Sequence, residues 1–149
     1  MSRILCVDDE DEVRSALQRR LERDGHTVRT ASSMSEGVAA IHADGPSYDI
    51  VITDMSMEEG NSGLAMLKAA TERDVFTEVI VLTAYGNVKN AVECMQMGAF
   101  DYVEKNIPDV DVFELLMIKV DRALQQRRAA VRTLDRLSNL GQQLAGSKT

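Results

Sequence analysis

No stretch of this 149-residue sequence approaches the roughly 20 consecutive apolar residues that span a bilayer, and the segment Met1 to Asp8 has no signal-peptide cleavage pattern. A membrane-spanning chain is set aside, and the expected setting is the cytoplasm. Cysteine is scarce. Cys6 and Cys94 stand alone within apolar patterns, without the paired spacing of a metal site or a disulfide framework, so both read as buried thiols. Basic residues are missing where a nucleic-acid surface would need them. Residues 121–149 hold six basic residues against Asp121 and Asp135, so the chain's net charge of −7 leaves residues 1–120 at −11. Such a body cannot neutralise phosphates, which argues against direct DNA binding. The turn after the first apolar run lacks glycine, and Gly60 and Gly63 form no phosphate cradle, so a dinucleotide site is excluded as well.

What remains is ordinary globular material: 44% apolar and 28% charged residues in a length that suits one core with a short appendage. Short apolar runs alternate with stretches of helical period. Ile4–Val7, Thr27–Thr30, Ile50–Thr53, Val79–Thr83 and Phe100–Glu104 read as strands, and several are apolar at every position, as in a parallel sheet covered on both faces. Between them Val13, Ala16, Leu17 and Leu21 recur at helical spacing. So do Met34, Val38 and Ile41, then Leu64, Leu67 and Ala70, then Val88, Ala91, Val92 and Met95. Asp9 with Glu12, Ser33 with Glu36, and Asp111 with Glu114 have the spacing of capping boxes, and Gly25 can end the first helix. Five right-handed βα units predict a doubly wound α/β layer, whose ligands bind at the carboxyl ends of the strands.

Those ends carry one kind of chemistry. Asp8, Asp9 and Glu10 follow the first strand, Asp54 the third, Thr83 ends the fourth and Lys105 follows the fifth. If strand three lies beside strand one, the carboxylates converge, and two of them roughly 4 Å apart repel by about 4 kcal/mol at an effective dielectric near 20. The cluster should therefore bind a proton or a cation. Oxygen-only ligands with open positions suit Mg²⁺ best. With such an ion Asp54 could attack a phosphoryl group, Thr83 could donate its hydroxyl to one phosphoryl oxygen, and Lys105 could place a point charge at another.

Asp8-Asp9-Glu10, Asp54, Thr83-Ala84 and Lys105, each at its strand end, together resemble the signature of the receiver domain of bacterial response regulators, over residues 1 to about 124. The resemblance implies a five-stranded parallel sheet in the order 2-1-3-4-5. It implies that Asp54 receives a phosphoryl group from a histidine kinase or phosphotransfer protein. It also implies that Asp8, Asp9, Asp54 and the main-chain carbonyl of Ser56 serve Mg²⁺, with Thr83 and Tyr102 as a switch pair. The readout would be the surface of the fourth helix, fifth strand and fifth helix, with Gly86 and Asn87 as points of give. Two positions depart from the pattern. Asn106 stands where the family has a proline, often after a cis bond, and a trans or remodelled loop is expected there because a non-proline cis bond costs about 2.5–4 kcal/mol. Met57 is followed by Glu58, and Gly63 lies one residue farther from Asp54 than usual.

Taken singly, each element has a plainer reading: Asp8 to Glu10 as a helix start favoured by the dipole, Asp54 as a strand-end cap, Lys105 as a surface lysine, Tyr102 as packing. Their joint placement favours the site. His26 and His42 fall at no strand's carboxyl end and receive no role. An aspartate-nucleophile phosphohydrolase would end strand one with its nucleophile in an Asp-x-Asp pattern, whereas here adjacent acids end strand one and a lone Asp ends strand three, and a phosphate-independent scaffold is the other alternative. Beyond residue 124 the apolar spacing of three and four continues. Phe113, Leu116, Val120 and Ala123 are followed by Ala130, Leu134, Leu137 and Leu144, interrupted by Arg127 and Gly141. Residues 125–149 read as a helical extension or linker with a flexible end from Gly141, able to form a homodimer through a weak heptad seam.

Overall fold

A computed structural model describes residues 2–55, 62–84 and 88–146. Five strands, β1 (Arg3–Val7), β2 (Thr27–Ala31), β3 (Ile50–Asp54), β4 (Glu78–Thr83) and β5 (Asp101–Glu104), form one parallel sheet in the order β2-β1-β3-β4-β5. They alternate with α1 (Asp11–Arg23), α2 (Met34–His42), α3 (Ser62–Arg73), α4 (Val88–Gln96) and α5 (Val112–Gly146). The expected doubly wound layer and strand order are both present.

Strands apolar at every position have this composition because the pleat sends successive side chains to opposite faces and both faces are covered. Leu5, Val7, Val51, Val79 and Val81 enter one core with Ala40, Ile41, Met66, Leu67, Ala91 and Cys94. Their neighbours Ile4, Cys6, Ile50, Ile52, Ile80 and Leu82 enter the other, with Leu17, Leu21, Leu116, Val120 and Ala123. The two cysteines are buried and form no disulfide, one in each core, and burial, with Asp8 adding to it, pushes the Cys6 thiol up to about 12. At neutral pH it is an inert apolar side chain.

Among the described residues, the starts of α2 and α5 and the end of α1 follow the local chemistry, and the start of α1 does not. Glu36 N–H donates to Ser33 Oγ at 3.1 Å, and Glu114 N–H donates to Asp111 Oδ1 at 3.1 Å. After α1, Gly25 takes φ +92°, its N–H donates to Glu22 O, and His26 N–H donates to Leu21 O, which together form a Schellman motif. The exception is the start of α1. Its N-cap is Glu10, without a side-chain cap, instead of the capping box expected from Asp9 and Glu12.

α5 is 35 residues long, about 52 Å at 1.5 Å per residue. Leu116, Val120 and Ala123 bury against the sheet, whereas Leu134, Leu137, Leu140 and Leu144 lie on its exposed second half. It passes through Gly141, where the sequence suggests a flexible end, and reaches Gly146. At the changeover Arg127 Nε donates to Asp49 Oδ1 at 2.7 Å and Nη2 to Asp74 Oδ2 at 3.1 Å, fastening the helix to the end of the sheet opposite the acidic cluster. No helix among the described residues is long and apolar enough to cross a membrane.

Candidate phosphoryl-transfer site

The register that pairs Val7 with Thr53 and Asp54 with Leu82 brings the carboxyl ends of β1, β3 and β4 to one edge of the sheet. The chain after β1 is pinned there by its own polar groups. Asp8 N–H donates to Ala31 O, Asp8 Oδ1 accepts from Glu10 N–H at 2.9 Å, and Arg14 Nη1 donates to Asp8 O at 2.7 Å. Arg14 also pairs with Asp11 one turn earlier in α1. The Asp8 side chain is thereby fixed with no solvent exposure.

Lys105 joins β5 to the cluster. Its N–H donates to Thr83 O at 2.7 Å, which sets the residue beside the end of β4. Its ammonium then reaches three carboxylates: Asp8 Oδ2 at 2.7 Å, Glu10 Oε1 at 3.3 Å and Asp54 Oδ2 at 3.4 Å. The Glu10 contact has hydrogen-bond geometry, and the buried Asp8 Oδ2 is held by the ammonium in the shortest of the three ion pairs. Burial pushes the Asp8 carboxyl above its ordinary range, and the opposing pull of Lys105 and the Glu10 N–H does not cancel it. For Lys105, burial works against the charged form, but Asp8, Asp54 and Glu10 outweigh it and hold the ammonium protonated.

Of the residues named from the sequence, Asp8, Asp54 and Lys105 meet directly, and carboxylate oxygens of Asp8, Asp9 and Glu10 lie within 4.8 Å of one another. Asp54 ends β3 and is nearly buried, and Thr83 ends β4 fully buried. An open cleft lined by Asp9, Glu10, Asp54, Ala84, Lys105 and Asn106 leads from solvent to these groups. Tyr102 lies one strand over, in β5, half-buried against the core that contains Ala91 and Cys94. Ser56, Met57, Glu58, Gly60, Gly86 and Asn87 lie outside the described residues. Asn106 is reached without any cis peptide among the described residues. It takes φ +58°, a left-handed conformation that asparagine tolerates better than most residues, and the bond before it is trans, one of the two outcomes expected.

Sequence reasoning missed Arg14, whose guanidinium holds the Asp8 carbonyl. Its spacing of three from Asp11 is a visible pairing signal, but the reach to Asp8 O depends on the folded turn.

The donor set is that of a hard divalent ion: carboxylate oxygens only, with Asp9 and Asp54 lining an open cleft and the buried Asp8 within 4.8 Å of the Asp9 carboxylate. These residues fit Mg²⁺.

Comparison with known proteins identifies the family of this fold. The family profile described as "Response regulator receiver domain" matches residues 4–117. The photosynthetic apparatus regulatory protein RegA of Rhodobacter capsulatus is 34% identical over 116 residues, covering 78% of this chain and 61% of that protein. The regulatory protein AtoC of Escherichia coli is 40% identical over 126 residues, covering 84% of this chain and 26% of that protein. The chain thus spans less than two thirds of these relatives. Among solved structures, a response regulator receiver domain protein from Clostridium thermocellum superposes with a TM-score of 0.76 at 32% identity, covering 87% of this chain and 99% of that one.

Proposed function

The chain belongs to the response regulator receiver family of two-component signalling, and from that premise we propose that it is a phosphorylation switch whose acceptor is Asp54. The observation that carries this reading is the Lys105 ammonium 2.7 Å from Asp8 and 3.4 Å from Asp54 in a cleft open to solvent. A phosphoryl group arriving from a histidine kinase or phosphotransfer protein would be attacked by an Asp54 oxygen. The new bond joins that oxygen to phosphorus, and the phosphorus–nitrogen bond of the donor breaks. Asp8, Asp9 and Asp54, with the main-chain carbonyl of Ser56, would hold Mg²⁺, which supplies charge neutralisation for the phosphoryl oxygens. Lys105 would pair with one of those oxygens and Thr83 would donate its hydroxyl to another. The phosphorylated side chain bears roughly 1.5 to 2 negative charges, and the shift of Thr83 toward it opens room for Tyr102 to turn inward. The α4-β5-α5 face then reports the state. The chain performs only its own phosphotransfer and dephosphorylation.

Residues 1–124 form the receiver unit in this reading, and residues 125–149 an extension that pairs two copies through Leu134, Leu137 and Leu144. The positions flanking that seam, Val131, Thr133, Ser138 and Leu140, are uncharged, and Arg128, Arg132, Asp135 and Arg136 fall elsewhere on the helix.

Intact-mass measurement after incubation with Mg²⁺ and a small acyl-phosphate donor tests the acceptor. A base-labile adduct of one phosphoryl group, lost in Asp54→Asn, is expected. No adduct with any donor or kinase would favour a phosphate-independent scaffold, and sustained turnover of phosphate esters would favour a hydrolase.

A further inference from the structure

Lys105 has one partner that the phosphotransfer scheme does not use. Of its three carboxylate contacts among the described residues, the shortest is the 2.7 Å ion pair with Asp8, and the one to Glu10, at 3.3 Å, is a hydrogen bond made at the rim of the cleft. Asp8 and Asp54 are the pair that a divalent ion and a phosphoryl group would engage, and both are nearly or wholly buried. Glu10 differs from them in that its side chain is 57% exposed, and it sits on the rim of the cleft at the N-cap of α1. Its main chain is held by the Asp8 carboxylate through the 2.9 Å hydrogen bond, so the side chain starts from a fixed root.

We propose that Glu10 is a positioning residue that gives the Lys105 ammonium a second seat, drawing it toward the rim of the cleft and away from the position where it would meet a phosphoryl oxygen. The physical ground is competition for one compact cation. An ammonium has three donors, and a charge-assisted hydrogen bond to the Glu10 carboxylate holds one of them. When an ion and a phosphoryl group draw on Asp8 and Asp54, the Glu10 bond must lengthen or break before Lys105 can serve the phosphoryl group. Glu10 therefore acts as a brake on acceptance, through Lys105 and not through contact with the phosphoryl group.

This inference rests on Asp54 being the acceptor, and the test separates the two. Glu10→Gln removes the charge and keeps the shape. Glu12→Gln removes an equal exposed charge from the first turn of α1 and serves as the control for general repulsion of an anionic donor. Both variants and the parent chain are followed in the presence of Mg²⁺ by the rate of adduct formation from a small acyl phosphate, by Mg²⁺ titration, and by the nitrogen resonance of the Lys105 ammonium before any donor is added. Expected for Glu10→Gln are a shifted and faster-exchanging Lys105 resonance and phosphorylation about threefold or more faster than in Glu12→Gln, which leaves the resonance in place. Rates for the two variants that coincide, or an unmoved Lys105 resonance, overturn the role of Glu10 while leaving Asp54 intact. A fall in Mg²⁺ affinity confined to Glu10→Gln, with slower phosphorylation, also overturns it, because Glu10 would then serve the ion. A parent chain that takes up no phosphoryl group refutes the acceptor reading instead.

Discussion

Asp8 is a buried carboxylate with one oxygen engaged by the Glu10 N–H and the other paired with the Lys105 ammonium at 2.7 Å. Burying its charge carries a desolvation cost that these partners offset only in part. Its raised pKa gives this cost a pH signature. Between the ordinary aspartate value and the raised folded value, the folded protein holds a proton that the unfolded chain has lost. Stability of the metal-free protein from this group therefore rises as pH falls through that window and is lost as pH rises above it. Asp8→Asn removes the titration. We expect the variant to be more stable than the parent in urea by on the order of 1 kcal/mol at neutral pH without Mg²⁺, with the gap closing on acidification. Mg²⁺ should stabilise the parent and have little effect on the variant. A gap that widens as pH falls would contradict this account of Asp8.

At the scale of the elements, Gly25 shows what a turn requires. Its φ of +92° closes the Schellman motif after α1, and a Cβ there would meet nothing within 4 Å. The penalty for a side chain is thus conformational alone, and Gly25→Ala should lose about 1–2 kcal/mol in chemical denaturation, with Gly25→Asn losing less. A loss of zero would show that the turn relaxes. This glycine was legible in the sequence, as were the five strands, because each is set by its own few residues and by the requirement that both sheet faces be covered. The α1 start was not. Asp9 and Glu12 have capping spacing, but the Asp8 carboxylate takes the Glu10 N–H, and the turn answers to the site more than to the helix. Arg127 was hidden for a related reason. Within the heptad it reads as an interruption, yet its partners Asp49 and Asp74 lie 78 and 53 residues away and no periodicity reports them. Asp54, Thr83 and Lys105 could be placed at one edge from strand ends alone, but the reach of Lys105 to Glu10 required side-chain geometry.

The molecule as a whole is an acidic α/β body with a basic rod attached. Half of α5 completes the second core, Arg127 fixes its exit, and the other half carries Leu134, Leu137, Leu140 and Leu144 at 50–60% exposure. An isolated helical arm with this row of leucines is better solvated by a second such arm than by water. The seam between two copies would continue the three-and-four spacing that already packs Leu116, Val120 and Ala123 on the sheet. Charges off the seam allow the arms to approach, and Gly141 on the seam permits close contact. Leu134→Lys with Leu137→Lys removes two apolar side chains from each arm and sets four ammonium groups in the seam. Burying one leucine contributes about 1.5–3 kcal/mol, so self-association should weaken by well over a hundredfold. Light scattering across a concentration series should show a dimer for the parent and a monomer for the double variant. The variant's far-ultraviolet spectrum should change little and its Asp54 adduct should persist, because the body's two cores do not include these residues. A parent chain that stays monomeric both with and without phosphorylation would remove the arm as a dimer contact.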